Sequence, residues 1–337
     1  VLTQRFAIHE EDENRIVYRR AFPESDETAA RHVAEIVEKK YASKDKAMQG
    51  LLRGEIDVLP HLQTWDVAAL AEDDQYFVHK YALPVTHVVQ FNPHSRALRS
   101  RVLRRALAHA IDRRAILDEV ILRGAKNEHG RLTTAPYPRR HDGYNTLVQP
   151  REHDWTLAIA LAIAARQPLG GEIPELTMVC APDAVSLAAA RRIAEAWRTL
   201  GLTINLVADP AAASGDAPPP QWDIVYRTVR MAEPVHELWP FLTLEPAARV
   251  ASLVHLPDWL RQELVRLDGV SDGRQANARL RELHAHLFAE AQIIPLWEVD
   301  DYLAVRKTVR NVPLSPLHAY DGVEQWVVQP WYPTDTP

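Results

Sequence analysis

The sequence predicts an α/β fold spread over two lobes, on three observations. At 337 residues with 47% hydrophobic content, the chain can bury more apolar surface than one core of ordinary size holds. Residues 175–207 run as an apolar strand, an amphipathic helix and a second strand, which is the pattern of a parallel β-α-β unit. Glycine is scarce at 12 and proline plentiful at 24, so the connections are stiff, and no low-complexity tract interrupts them.

The elements follow in order. VLTQRFAIHEEDENRIVYRR opens with strand-like alternation and no signal-peptide pattern, so the N-terminus reads as cut from the middle of a fold. Arg15–Arg20 is a strand. Residues 45–52 form a short helix, with Asp45 as N-cap and Gly54 as its left-handed stop. EIDVLPHL follows as a buried strand. Residues 81–92 are β-rich, and Asn92-Pro93 turns the chain where they end.

LRSRVLRRALAHAIDRRAILDEVILRG, residues 98–124, is strongly basic in a chain of formal net charge −6. Val102, Leu103, Ala106, Leu107, Ala110 and Ile111 make one apolar helical face, with Arg101, Arg104 and Arg105 on the other. A second stripe, Ile116, Leu117, Val120 and Ile121, is out of phase with the first. Two helices meeting at Asp112, which caps the second, account for both. The arginines are then expected on solvated faces, and the acidic balance argues against direct nucleic-acid binding.

Residues 125–150 are loop-rich and 154–166 are helical. The uncharged run within that helix is too short for a bilayer, which needs about 20 residues. In the β-α-β unit, Leu187, Ala190, Ile193, Ala194, Trp197 and Leu200 recur at helical spacing, and Gly201 ends the helix. Residues 208–220 form a surface loop, 222–229 a strand, 274–292 a long helix and 293–307 extended chain. Short strands and turns complete the tail. No repeat of 20–50 residues is present.

The motif search returns little chemistry. Cys180, the single cysteine, ends an apolar strand and reads as a small core residue. His284 and His286 point to different sides of their helix, unlike a metal-binding i, i+4 pair. Asp73-Asp74 and Asp300-Asp301 are expected to be solvated. No nucleophile elbow, phosphate loop or dinucleotide fingerprint occurs. The expectation is a protein that is not an enzyme, with no cofactor and no metal. Tyr226, Arg227, Arg230, Glu233 and Trp239 instead gather just past a strand end. They offer a carboxylate, guanidinium groups and flat apolar walls, the parts an extended zwitterionic ligand requires.

Four segments then speak together: LLRGEIDVLP, YALPVTHVVQFNP, RVLRRALAHAIDRRAILDEVILRG and AQIIPLWEVDDYLAVRKTVRNV. Their order and spacing resemble the family 5 extracytoplasmic solute-binding proteins, the oligopeptide- and dipeptide-type receptors of ABC importers. Arg105, Ala106, Ala110, Ile111, Asp112 and Arg113 are the most specific part. The resemblance runs from about residue 15 to residue 325 and matches only the C-terminal portion of that family.

It implies a two-lobed, class II periplasmic-binding-protein-like fold with mixed sheets flanked by helices. Residues 1–92 would be part of lobe I, 93–305 lobe II, and 306–337 the return to lobe I, with crossings at 87–92 and 294–302. A peptide or peptide-like small solute would sit in an interlobe cleft, held without catalysis by a monomer that delivers it to a membrane permease. The location would be periplasmic or extracytoplasmic, with the signal or lipid anchor in the missing N-terminal part. Glu233, before Pro234, matches the family's ligand-binding acid, although the family's doubled-aspartate pattern is absent here. The expected ligand-binding set is Asn92, Tyr226, Arg227, Arg230, Glu233, Trp239 and Trp297. The alternative reading is the solute-sensing domain of a transcriptional regulator. A hydrolase on a related scaffold is disfavoured by the empty motif search.

Overall fold

In the computed structural model the described residues are 5–21, 32–125, 127–214, 222–245 and 249–329. The first elements in chain order are β1 (Phe6–Glu11), β2 (Arg15–Arg20), β3 (Glu35–Lys39), α1 (Lys44–Leu52), β4 (Val58–Pro60), α2 (Val67–Glu72), β5 (Tyr76–Lys80) and β6 (Val85–Phe91). Then come α3 (Arg101–Ala110), α4 (Arg113–Ile116), β7 (Gly130–Leu132), α5 (Trp155–Arg166), β8 (Leu176–Cys180), α6 (Ala184–Thr199), β9 (Ile204–Ala208) and α7 (Ala211–Ser214). The last are β10 (Ile224–Val229), α8 (Pro234–Thr243), α9 (Asp258–Asp268), α10 (Gly273–Ala289), β11 (Ile293–Val299), β12 (Tyr302–Arg306), β13 (Val309–Arg310) and β14 (Val327–Val328).

The chain divides into two units, Val1–Ala82 with Asp300–Pro337, and Leu83–Val299. These divisions fall before the expected boundaries at 92/93 and 305/306. The reason is pairing: β6 and β11 are antiparallel neighbours within one sheet of the second unit, so neither ends as part of the first.

The first unit holds small sheets. β1, β2 and β3 form an antiparallel meander, and β12 returns late in the chain to lie between β4 and β5. Leu303 and Val305 of β12 join one apolar cluster with Phe6, Tyr81 and Trp326, while Tyr302 and Ala304 join another with Leu51, Leu62 and Leu70. Strand alternation sends successive residues to opposite sides and so feeds both. The cap of α1 is Ser43 rather than Asp45. Ser43 is extended and its hydroxyl accepts the Lys46 amide at 3.3 Å, whereas Asp45 already lies in the first turn. Gly54, at φ +76°, makes the left-handed stop.

Asp300 and Asp301, expected to be solvated, are 4% and 6% exposed. The Lys80 ammonium reaches Asp300 at 2.5 Å, and Asp301 holds His61 Nδ1 at 2.7 Å while accepting the Tyr302 amide. Half-exposed Lys80 and His61 reach in to these two buried acids, which the DD pair alone does not reveal.

The second unit is built on a six-stranded mixed sheet of order β7-β11-β6-β10-β8-β9. β8 and β9 pair in parallel across α6, and β10 adds parallel to β8. α3, α5 and α6 cover one face through Leu103, Leu107, Ala158, Ile193 and Trp197. Trp197 donates its indole N–H to the Leu107 carbonyl at 3.0 Å, tying α6 to α3. α8, α9 and α10 bring Leu238, Phe241, Leu260, Leu264 and Leu280 into a second cluster with Val88 and Ile293.

Asp112 stands at the junction of α3 and α4, where its carboxylate accepts the Ala115 amide at 3.0 Å. The arginines of this stretch do not all face solvent. Arg101 is exposed, but Arg104 is 5% exposed and Arg113 is buried too. Arg104 donates to the carbonyls of Glu290 and Ala291, just past the end of α10, and to those of Leu98 and Arg99. A helix C-terminus leaves carbonyls without intrahelical partners, and a guanidinium with its five donors satisfies them well. Val102, assigned to the apolar face, is partly exposed instead.

Candidate ligand-binding site

The geometry starts from β6, VTHVVQF, an apolar run interrupted by Thr86, His87 and Gln90. It is flanked by β10 and β11, so each polar side chain has a strand on either side. His87 Nδ1 and the Tyr226 hydroxyl share a hydrogen bond of 2.6 Å, and the Trp297 ring lies 5.7 Å from the imidazole. All three are buried. Burial raises the Tyr226 pKa well above the ordinary phenol value and keeps it protonated. Tyr226 and Trp297 also belong to the apolar cluster beneath α3, α5 and α6.

Arg227 follows Tyr226 along β10 and therefore faces the other side of the sheet. Its guanidinium carbon sits 5.6 Å from the Phe241 ring centre, and burial lowers its pKa. Trp239, on α8, packs beside the same apolar cluster. The predicted residues are thus divided: Tyr226 and Trp297 on one face, Arg227 and Trp239 on the opposite one.

The remaining three differ in circumstance. Asn92 is engaged by main-chain partners, donating to the Trp222 carbonyl before β10 at 2.7 Å and accepting the His94 amide of its own turn at 2.9 Å. Glu233 is exposed at the N-terminus of α8, and its side chain makes no capping bond there. Glu237 does the capping, accepting the amides of Ala232 and Glu233. Burial lowers the pKa of His141, and the Glu233 carboxylate partly opposes that shift. Arg230 is exposed just before this helix.

Two further polar networks escaped the sequence reading. Glu298, 2% exposed, accepts from both Arg131 nitrogens Nε and Nη2 through one oxygen and from the Arg139 amide, at 2.8 Å, through the other. His284 accepts the Asn145 amide at Nδ1 and donates from Nε2 to the Thr134 carbonyl, with burial lowering its pKa to about 4. The visible signal was an acid inside the apolar run IIPLWEV; His284 lies on a charge-rich amphipathic helix and gave none. Their partners lie over a hundred residues away and carry no local mark.

The first unit contains a cavity of about 980 Å³ that none of the seven expected residues lines. Several polar groups in its walls already engage one another: Tyr41 donates to Glu55, and Tyr320 to Glu38. Among the described residues, no three of the histidine, cysteine and acidic side chains gather as a metal would require. Cys180 is buried, and burial raises its thiol pKa to about 11, so it is no nucleophile. No described helix is long and apolar enough to cross a membrane.

Comparison with known proteins bears on the family and the fold. The family described as "Bacterial extracellular solute-binding proteins, family 5 Middle" matches residues 8–233. No curated protein matches the chain by sequence. Among solved structures, the periplasmic binding protein DppA of Helicobacter pylori in complex with peptide STSA superposes with a TM-score of 0.78 at 15% identity, over 96% of this chain and 62% of its own. The oligopeptide-binding protein AppA of Bacillus subtilis, in complex with a nonapeptide, gives 0.79 at 13% identity, over 97% and 66%. NikZ of Campylobacter jejuni in complex with Ni(L-His) gives 0.76 at 14%, over 96% and 68%. The chain thus shares their α/β fold and spans less than two thirds of the length of the first two.

Proposed function

The chain belongs to the family 5 bacterial extracellular solute-binding proteins, and from that premise we propose that it is the solute receptor of an ABC-type importer. Its cargo is a peptide or peptide-like small molecule, held without being transformed. The family match across residues 8–233 carries this reading. The fold shared with two peptide complexes supports the cargo class.

In this reading the unit Val1–Ala82 with Asp300–Pro337 belongs to lobe I, and Leu83–Val299 is lobe II. The receptor works as a monomer outside the cytoplasmic membrane and delivers its load to a membrane permease. Of the seven expected ligand-binding residues, this reading keeps as contacts Arg227 and Trp239 on the α8 face, with Arg230 and Glu233 at the start of α8. The buried Tyr226 and Trp297 and the engaged Asn92 support the sheet behind them. Affinity comes from apolar walls, and selectivity from polar groups that a wrong ligand leaves unpaired. The Cys180 thiol, buried and held protonated, is consistent with binding that involves no chemistry. None of these observations favours a regulator's sensing domain.

The test is capture from a mixture. The protein is incubated with a mixed peptide pool and gel-filtered, and the peptides that co-elute are identified by mass spectrometry. The reading expects a subset of intact peptides. Cleaved products, or no enrichment of any peptide, would overturn it.

A further inference from the structure

Arg113, at the start of α4, is 3% exposed, and its guanidinium is poorly provided for. Nε reaches the Pro295 carbonyl and Nη1 the Arg151 carbonyl, both at 3.4 Å, beyond the usual hydrogen-bond range. Nη2 is buried without a partner among the described residues. Arg104 shows what a satisfied arginine of similar depth looks like, with four bonds to carbonyls at 2.9–3.0 Å.

Arg151 brings a second cation to the same place. It donates through Nη2 to the Phe288 carbonyl near the end of α10 and stacks over the Phe288 ring at 4.0 Å, while its Nη1 is buried without a partner. His109 Nδ1, on α3, is a third buried nitrogen without a partner, and it donates when it carries the proton. Burial, and after it the Arg151 charge, lowers the Arg113 pKa to about 9, which leaves the group charged at neutral pH. Burial, then Arg105 and Arg101, lowers that of Arg151 to about 10. The acids nearby serve elsewhere. Asp112 caps Ala115 and lies 3.9 Å from His153, and Glu290 pairs with Arg101 at 3.1 Å. No carboxylate among the described residues pairs with Arg113 or Arg151. Two cations withdrawn from water without a counter-charge are costly, and their mutual repulsion adds to the cost.

We propose that Arg113 and Arg151 hold a small inorganic anion between them, with His109 beside it. The anion takes the donors that the main chain leaves over, Arg113 Nη2 and Arg151 Nη1, and cancels the repulsion between the two guanidinium groups. It also ties α4 to the end of α10 and to β11, the elements whose carbonyls the same two arginines reach. None of the seven expected ligand-binding residues belongs to this site, and it stands independently of the receptor reading.

The experiment compares melting temperatures of the whole chain in sodium chloride, nitrate and sulfate with those in sodium gluconate, a bulky anion, at equal ionic strength. In wild type at least one small anion should raise the melting temperature above its gluconate value by about 2–3 °C for each tenfold rise beyond the dissociation constant. Whether chloride or sulfate does so tells a halide site from an oxyanion site. In Arg151→Gln that advantage over gluconate should vanish. Equal curves for all four salts in wild type overturn the proposal, and so does an advantage that survives in Arg151→Gln. Should the variant fail to fold, a wild-type crystal soaked in the heavy analogue of the stabilising anion, bromide for chloride or selenate for sulfate, decides the matter. Anomalous density between Arg113 Nη2 and Arg151 Nη1 supports the site, and density only elsewhere overturns it.

Discussion

The Tyr226 hydroxyl and His87 Nδ1 lie 2.6 Å apart, a buried hydrogen bond joining β10 to β6. Tyr226→Phe removes the hydroxyl and leaves a ring nitrogen without that partner in an apolar setting. The expected loss is about 1–3 kcal/mol, read from the urea midpoint at constant m-value. A variant as stable as wild type would show that the bond adds nothing net.

Arg104 and Arg101 are close in sequence and opposite in consequence. Arg101 is exposed and pairs with Glu290 at 3.1 Å across the surface. Replacing it with glutamine should change stability by no more than about 0.5 kcal/mol. Arg104→Gln instead strips four carbonyls of a charged donor inside the fold. A loss of about 2–4 kcal/mol is expected, with hydrogen bonds to charged groups contributing about 1.5–3 kcal/mol each before relaxation. Equal melting temperatures for the two variants would contradict this assignment.

His284 makes the fold sensitive to acid. It is 1% exposed, with both ring nitrogens engaged as in the neutral form, and burial sets its pKa near 4. An unfolded histidine titrates near 6.5. The folded value lies below the unfolded one, so the unfolded chain takes up the proton first as pH falls. The stabilisation is complete above pH 6.5 and drains away down to about pH 4, by roughly 2 kcal/mol between pH 6.5 and 5. Urea midpoints at pH 7 and pH 5 should differ by less in His284→Gln than in wild type. An unchanged difference would assign the acid sensitivity elsewhere.

Glu298 is nearly inaccessible and paired with Arg131, which remains partly exposed. Glu298→Ala leaves the Arg139 amide and the Arg131 guanidinium without that acceptor. Removing one member of a buried pair costs about 3–5 kcal/mol, and the exposure of Arg131 places this variant at the lower end. Thermal denaturation measures it, and a shift too small to detect would mean that water replaces the carboxylate.

These residues also show what could be read in advance. β2 was legible from alternation alone, the helix pair from the phase break at Asp112, and the β8-α6-β9 unit from two apolar runs around an amphipathic helix. Local spacing carries such information. Arg104, Glu298 and Asp301 were not legible, because their burial depends on partners that the fold supplies from more than 160 residues away. The expected site suffers from the same limit. Tyr226 and Arg227 are adjacent in sequence and were grouped for that reason, yet a strand sends them to opposite faces. The clustering of residue types was readable, but the surface each serves was not.

The central claim is that this chain grips a solute and leaves it unchanged. The most direct measurement is a melting curve of the purified protein against rising concentrations of one captured peptide, with the peptide's mass recorded after each scan. Binding to the folded state alone stabilises it by about 2.7 kcal/mol at one hundred times the dissociation constant. The account predicts a melting temperature that climbs with the logarithm of peptide concentration and a peptide recovered whole. A flat melting temperature at millimolar peptide, or recovery of fragments, would contradict it.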